Sequence, residues 1–240
     1  MLTTRKLALI AALFSACVCA AEGDEDKDDW DVNAPPGDSR RIPIKTTSGT
    51  WMSLDVSPDG ESVVFDLLGD IYLVPITGGD ARAIDGGLSW SMQPRFSPDG
   101  TEIAYTSDAG GADNIWIMQA DGSGKRQLTK EDFRLLNNPY WSPDGEYIAA
   151  RKHFTTTRSL GTGEVWIYHR NGGDGVAVVE RPNEQHQKEL GEPAFSPDGR
   201  YIYFSVDSTP GGTFVYAQDS NDQIFESAAT TCNAAPAKAS

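Results

Sequence analysis

The chain is short of positive charge, of paired cysteine and histidine, and of long apolar runs, and each shortage removes a class of function. Its 240 residues carry 20 Lys and Arg against 35 Asp and Glu, a formal net charge of −15 at pH 7. Nucleic-acid affinity is driven by basic side chains that neutralise phosphates, and no basic stretch offsets the acidic balance, so a nucleic-acid surface is excluded. Of the three cysteines, Cys17 and Cys19 fall in an N-terminal apolar segment and Cys232 stands alone, which leaves no disulfide framework. His153, His169 and His186 also stand singly. A zinc hydrolase needs a His-x-His pair with further His and Asp ligands, and a serine peptidase of the α/β-hydrolase type needs a Gly-x-Ser-x-Gly elbow. Neither pattern occurs, so the residues predict no catalytic site, no metal site and no cofactor in this chain.

The apolar run from Leu7 to Cys17 is too short to cross a bilayer. Arg5 and Lys6 precede it, and Val18 and Ala20 suit a cleavage site before Ala21, so residues 1–20 read as a secretory signal peptide. Its removal would take the formal charge from −15 to −17. The same stretch admits a second reading. "FSAC", Phe14 to Cys17, is similar to a lipobox with Phe14 where Leu is usual, and Cys17 would then become a lipidated N-terminus. Either reading predicts export, to the periplasm or beyond, with membrane contact only through a lipid on Cys17.

Residues 21–41 form an acidic linker. "EGDEDKDDWD", Glu22 to Asp31, holds seven acids and one Lys, and self-repulsion with little apolar content keeps such a stretch extended. It lacks the central Gly and terminal Glu of an EF-hand calcium loop.

What the chain has in abundance is one phrase. "VSPDG" at Val56, "FSPDG" at Phe96, "WSPDG" at Trp141 and "FSPDG" at Phe195 place Ser57, Ser97, Ser142 and Ser196 at intervals of 40, 45 and 54. Pro presets φ in a tight turn, Asp caps its own backbone, and Gly accepts the positive φ that closes it. Apolar residues then alternate at period two, as in Val63 and Phe65 or Ile103 and Tyr105, so each phrase turns one strand into the next. Three of the inner strands before the turn are expected to begin at Pro94, Pro139 and Pro193. Third strands are expected at "DIYLV" (Asp70), "NIWIM" (Asn114), "EVWIY" (Glu164) and "TFVYA" (Thr213), and fourth strands after the Gly-rich turns at Thr77, Ala120 and Asn171. A period of 40 to 50 residues built of four short strands is the pattern of a propeller blade. The fold class is therefore all-β, a β-propeller of about four four-stranded blades over residues 42–226, its ring incomplete, with an irregular tail over residues 227–240. Trp116, Trp141 and Trp166 are read as blade packing, and the turn Asp residues as caps.

The Ser-Pro-Asp-Gly turns and the "DIY" and "NIW" strands behind a signal peptide resemble the TolB-like periplasmic β-propellers, over roughly Ile42 to Glu226. "GTWMSLDVSPDG" at Gly49, "FRLLNNPYWSPDG" at Phe133 and "ARKHFTTTRSLGTGEVW" at Ala150 are similar to the N-terminal propeller of large secreted amidohydrolases. In those proteins the metal-dependent hydrolase domain follows the propeller. The first resemblance implies a non-catalytic module that binds protein or peptide partners; the second implies an accessory propeller, truncated here from its catalytic domain.

One interval stands out within the repeat. From the turn Gly to the first apolar residue of the third strand it is 11 residues in the first unit, 15 in the second and fourth, and 20 in the third. The surplus lies between Arg151 and Gly163, and it is expected to be a partner-binding loop carrying Arg151, Lys152, His153 and Arg158.

Overall fold

The computed structural model describes residues 31–132, 135–155, 161–188, 190–207 and 222–228. Four antiparallel meanders follow one another along the chain. The first sheet holds β1 (Leu54–Val56), β2 (Ser62–Leu67), β3 (Asp70–Pro75) and β4 (Arg82–Asp85). The second holds β5 (Ser91–Phe96), β6 (Glu102–Ser107), β7 (Asn114–Gln119) and β8 (Arg126–Gln127). The third holds β9 (Leu135–Trp141), β10 (Tyr147–Thr155), β11 (Gly161–His169) and β12 (Val176–Val179), and the fourth β13 (Leu190–Phe195), β14 (Tyr201–Asp207) and β15 (Asp222–Ala228). This is the all-β, blade-by-blade architecture that the repeat predicts. The expected signal segment with Cys17, and the acidic stretch up to Trp30, lie outside the described residues.

All four Ser-Pro-Asp-Gly phrases make the turn between the first and second strands of a blade. In each, the Gly N–H donates to the Ser carbonyl, and the Ser hydroxyl donates to the Asp carboxylate at 2.5–2.7 Å. The Ser hydroxyl also accepts from the N–H five residues on, as from Glu102 at 2.9 Å. The Asp therefore caps the turn as expected, and the Ser adds a second cap. Gly60, Gly100, Gly145 and Gly199 sit at φ of 70–74°, where a side chain would be strained.

The apolar cores lie between sheets rather than inside one. Ile103, Tyr105 and Met118 of the second sheet pack on Val64 and Ile71 of the first. From its other face Ala104, Ile115 and Ile117 meet Leu136, Trp141, Ile148 and Tyr168 of the third. Ala149, Val165 and Ile167 then meet Phe195, Ile202 and Phe204 of the fourth. Alternate residues of one strand thus serve two different interfaces, which is why the period-two pattern reads apolar at nearly every position of the middle blades. Trp141 and Trp166 belong to the second of these cores and Trp116 packs against the first, in keeping with their packing role.

Three expectations need correction. The inner strands begin before their prolines, at Ser91, Leu135 and Leu190. Pro94, Pro139 and Pro193 lie within bulges, each after a residue in the left-handed region: Gln93 (φ 57°), Asn138 (54°) and Glu192 (54°). A bulge is where a strand tolerates the missing N–H of Pro. Second, the strand that pairs with β14 is Asp222–Ala228, in unbroken register from Tyr201↔Ala228 to Asp207↔Asp222. Thr213 to Ala217 lies outside the described residues. Third, the described part of the surplus in the third unit, residues 151–155 and 161–163, is strand rather than loop, and residues 156–160 lie outside the described residues. β10 and β11 pair without a break from Tyr147↔His169 to Thr155↔Gly161, so Arg151, Lys152 and His153 are strand residues. The β-branched and aromatic content of this stretch suits a strand, and pairing satisfies backbone groups that a loop would leave to water.

Candidate functional site

Strand alternation splits the three described cations of β10 between two interfaces. Lys152 turns toward the second sheet, where its Nζ lies 2.6 Å from Glu131 Oε1 and 4.1 Å from the centre of the Trp166 ring. Arg151 and His153 turn toward the fourth sheet and come together, Nη2 to Nδ1 at 3.2 Å. Two glycines clear the slot for Arg151. A Cβ on Gly191 would fall 2.3 Å from Arg151 Cδ, and one on Gly163 2.8 Å from its Nε. Burial, and then the neighbouring guanidinium, hold the His153 pKa below the usual imidazole value. The expected partner-binding cations therefore include an interblade ion pair and a packed arginine. Arg158 lies outside the described residues.

The structure draws attention elsewhere, to the line where the four inner strands β1, β5, β9 and β13 converge. At the end carrying the Ser-Pro-Asp-Gly turns they enclose a cavity of about 360 Å³. Its wall includes the residue two before each turn Ser in three units: Asp55, Arg95 and Tyr140. Trp141, Phe195 and the four turn prolines supply its apolar surface. Neighbouring strands are stitched together around it. Asp55 Oδ2 accepts from the Phe96 N–H at 2.8 Å, Arg95 Nη1 donates to the Leu54 carbonyl at 2.9 Å, and Trp141 Nε1 donates to the Arg95 carbonyl at 3.1 Å. The first three turn prolines, Pro58, Pro98 and Pro143, also rest on the next blade's turn glycine, as Pro58 Cδ does at 3.3 Å from the Cβ position of Gly100. The sequence carries a faint trace of this site. The Ser-Pro-Asp-Gly itself repeats and the residue before it stays apolar (Val56, Phe96, Trp141, Phe195), while the position two before the Ser changes from acid to base to phenol to Ala194.

The opposite end of the same strands is held by a relay of side chains. Asp66 accepts from the N–H of Gln93 at 2.7 Å, and Gln93 Oε1 accepts from the N–H of Asn138 at 2.8 Å. Gln93 and Asn138 thus each have their amide caught by the preceding blade, which over-determines a backbone that would otherwise be strained.

A second cavity, of about 810 Å³, runs between the second and third blades from Gly172–Gly175 to Lys152 and Glu131. The Tyr168 hydroxyl at its wall is buried with no hydrogen-bond partner among the described residues. Burial, then the charges of Glu131 and Glu164, push its pKa up. Among the described residues no group of three His, Cys, Asp or Glu side chains is placed to hold a metal ion.

With this geometry in hand, comparison with known proteins is informative. The family model described as the TolB beta propeller domain matches residues 37–165. The chain is 32% identical to the uncharacterized peptidase YuxL of Bacillus subtilis (strain 168) over 169 residues, 57% of this chain and 23% of that protein. It is 33% identical to Tricorn protease homolog 1 of Streptomyces coelicolor over 92 residues, 38% of this chain and 9% of that protein. The chain thus spans under a quarter of the length of these two relatives. Among solved structures, the candidate TolB from Agrobacterium tumefaciens superimposes with a TM-score of 0.54 at 21% identity, covering 72% of this chain and 56% of that one, a likeness of fold.

Proposed function

This chain belongs to the TolB beta propeller domain family, and from that membership we propose that it works as an exported, non-catalytic propeller module that binds a protein or peptide. The observation that carries the reading is the cavity at the convergence of the inner strands. It is the place where a regular repeat gives each blade a different side chain, Asp55, Arg95 and Tyr140. The position just before each turn Ser also varies but stays apolar (Val56, Phe96, Trp141, Phe195), so the change of charge and polarity two before the Ser goes beyond what packing needs and supports a binding site.

The module serves a longer polypeptide that holds a hydrolytic domain. The two relatives above carry peptidase names and are several times longer than the matched stretch, which favours a peptidase as that domain. A secreted metal-dependent amidohydrolase is the second reading, favoured by the stretches beginning at Gly49, Phe133 and Ala150. Export to the periplasm rests on the signal-like residues 1–20, and a lipid on Cys17 would tether the module to a membrane.

Reading the coding frame past Ser240 tests this directly. A Gly-x-Ser-x-Gly elbow downstream is the expected result, and a His-x-His pair would replace the peptidase by the amidohydrolase. A frame that stops without a catalytic domain would overturn the accessory role and leave a free-standing binding module.

A further inference from the structure

Resting on the peptide-binding reading above, we propose that the cavity at the turn end of the inner strands receives the free C-terminal carboxylate of a peptide, with Arg95 as its cationic partner and Tyr140 as a second donor.

The first support is the state of Arg95. Arg126, Lys152, Arg170, Arg181 and Lys188 each lie within 4 Å of a carboxylate oxygen. Arg95 is half-buried in the cavity wall and has no such partner among the described residues. Its Nη1 is engaged with the carbonyls of Leu54 and Pro94 at 2.9 and 3.0 Å, which fixes the plane of the guanidinium. Nε and Nη2 have no acceptor among the described residues. A planar fork with one arm anchored and donors to spare matches a carboxylate, whose two oxygens accept in parallel.

The second support is the remainder of the wall. Asp55 lines the same cavity, but its two oxygens are directed to the N–H groups of Val56 and Phe96 and neither lies within 4 Å of an Arg95 nitrogen, so the two side chains form no ion pair. The Tyr140 side chain is 37% exposed, and its hydroxyl has no partner among the described residues. Trp141, Phe195 and the turn prolines give the apolar surface that an uncharged terminal side chain would cover. One cation in a protein of net charge −15 suits a monoanion attached to an apolar residue and disfavours a polyanion.

The test uses the 240-residue chain and two probes, acetyl-Ala-Ala-Leu with a free C-terminus and the same peptide as its amide, titrated calorimetrically. The acid form is expected to bind about tenfold more tightly, the scale of a charge-assisted hydrogen-bonded pair. Arg95→Met is expected to abolish that preference and Tyr140→Phe to reduce it. Because Arg95→Met also loses the bond to Leu54, the acid-to-amide ratio in the unaltered chain is the primary reading and needs no variant. Equal binding of acid and amide would overturn the carboxylate assignment and leave the peptide-binding reading standing. Binding of neither would overturn both, and a preference that survives in Arg95→Met would remove Arg95 from the role.

Discussion

The first and third sheets are built by the same rule and differ in what stands beside them. In the third, Ile148 and Ala150 pack toward the second sheet and Ala149 and Val165 toward the fourth, all four fully buried. In the first, the described residues cover only one face. Val64 and Ile71 are buried against the second sheet, whereas Leu54 and Val56 on the other face stay 55% and 44% exposed. Register puts Phe65 and Tyr72 on that same open face, stacked with ring centres 5.5 Å apart, beside Val63 and Val74. A blade therefore draws its stability from its neighbours, and the apolar residues of the open face have the composition of an interface without its partner.

The largest effect that separates the two sheets is expected from core truncation. Ile148→Ala leaves a cavity between two covered blades and is expected to cost about 2–5 kcal/mol in urea unfolding. Val56→Ala on the open face is expected to change stability by no more than about 0.5 kcal/mol. A comparable loss in both would mean that the open face of the first sheet is covered in solution.

Ion pairs between blades give a second and smaller contrast. Glu102 of the second sheet is 7% exposed, and its Oε2 lies 2.6 Å from Arg170 of the third. Arg170→Met would leave that carboxylate with a long contact to Arg126 at 3.7 Å and a weak bond from Gln119 Nε2 at 3.5 Å, and is expected to cost about 2–3 kcal/mol, most of it the penalty of an under-paired buried charge. The pair Lys125–Asp85 joins the first sheet to the second, but the lysine is 38% exposed. Asp85 is as buried as Glu102, so Lys125→Met also strips a buried carboxylate of its ion pair, but water reaching the lysine screens part of that interaction and the expected cost is about 1–2 kcal/mol. Equal losses would show that the first interface is as well sealed as the second.

These contrasts also mark what was legible in the sequence. The turn phrase and the period-two strands were readable because their causes are local: Pro, Asp and Gly act on their own backbone, and alternation reports two faces. The bulges at Gln93 and Asn138 were not, because each left-handed residue before Pro is held by an acceptor on the preceding blade, Asp66 for Gln93 and Gln93 for Asn138, far away in sequence. The third-unit surplus was misplaced for a related reason. A long interval between strand signals reads as a loop, whereas the ion pair of Lys152 with Glu131 and the slot for Arg151 between Gly163 and Gly191 keep residues 151–155 in the ladder. Arg95 escaped notice because a single basic residue beside a repeated motif has no periodic signal; its meaning comes from the convergence of four strands.

The turns themselves offer the finest test, since one motif occurs in differently buried settings. Hydrogen bonds from the Ser97 hydroxyl and then the Thr101 N–H hold the Asp99 pKa at about 2, below its ordinary 3.8. The Ser196 hydroxyl and the Arg200 N–H do the same for Asp198, also to about 2, and Asp59 is lowered through Ser57. A carboxylate whose pKa is depressed on folding stabilises the fold at pH above its unfolded value and ceases to as pH falls through its folded value. The contribution of these caps should thus be intact above pH 4 and fade between about pH 4 and 2, which acid unfolding monitored by circular dichroism would follow. Ser97→Ala is expected to raise the Asp99 pKa toward 3.8 in a carboxyl carbon NMR titration and to cost about 1 kcal/mol, because Ser97 is buried and also accepts from the Glu102 N–H. Ser57→Ala, in the more exposed turn of the first sheet, should raise Asp59 with a smaller loss of stability. An Asp99 titration unmoved by Ser97→Ala would assign its low pKa to the Thr101 amide and reduce the Ser of the repeated phrase to a backbone acceptor alone.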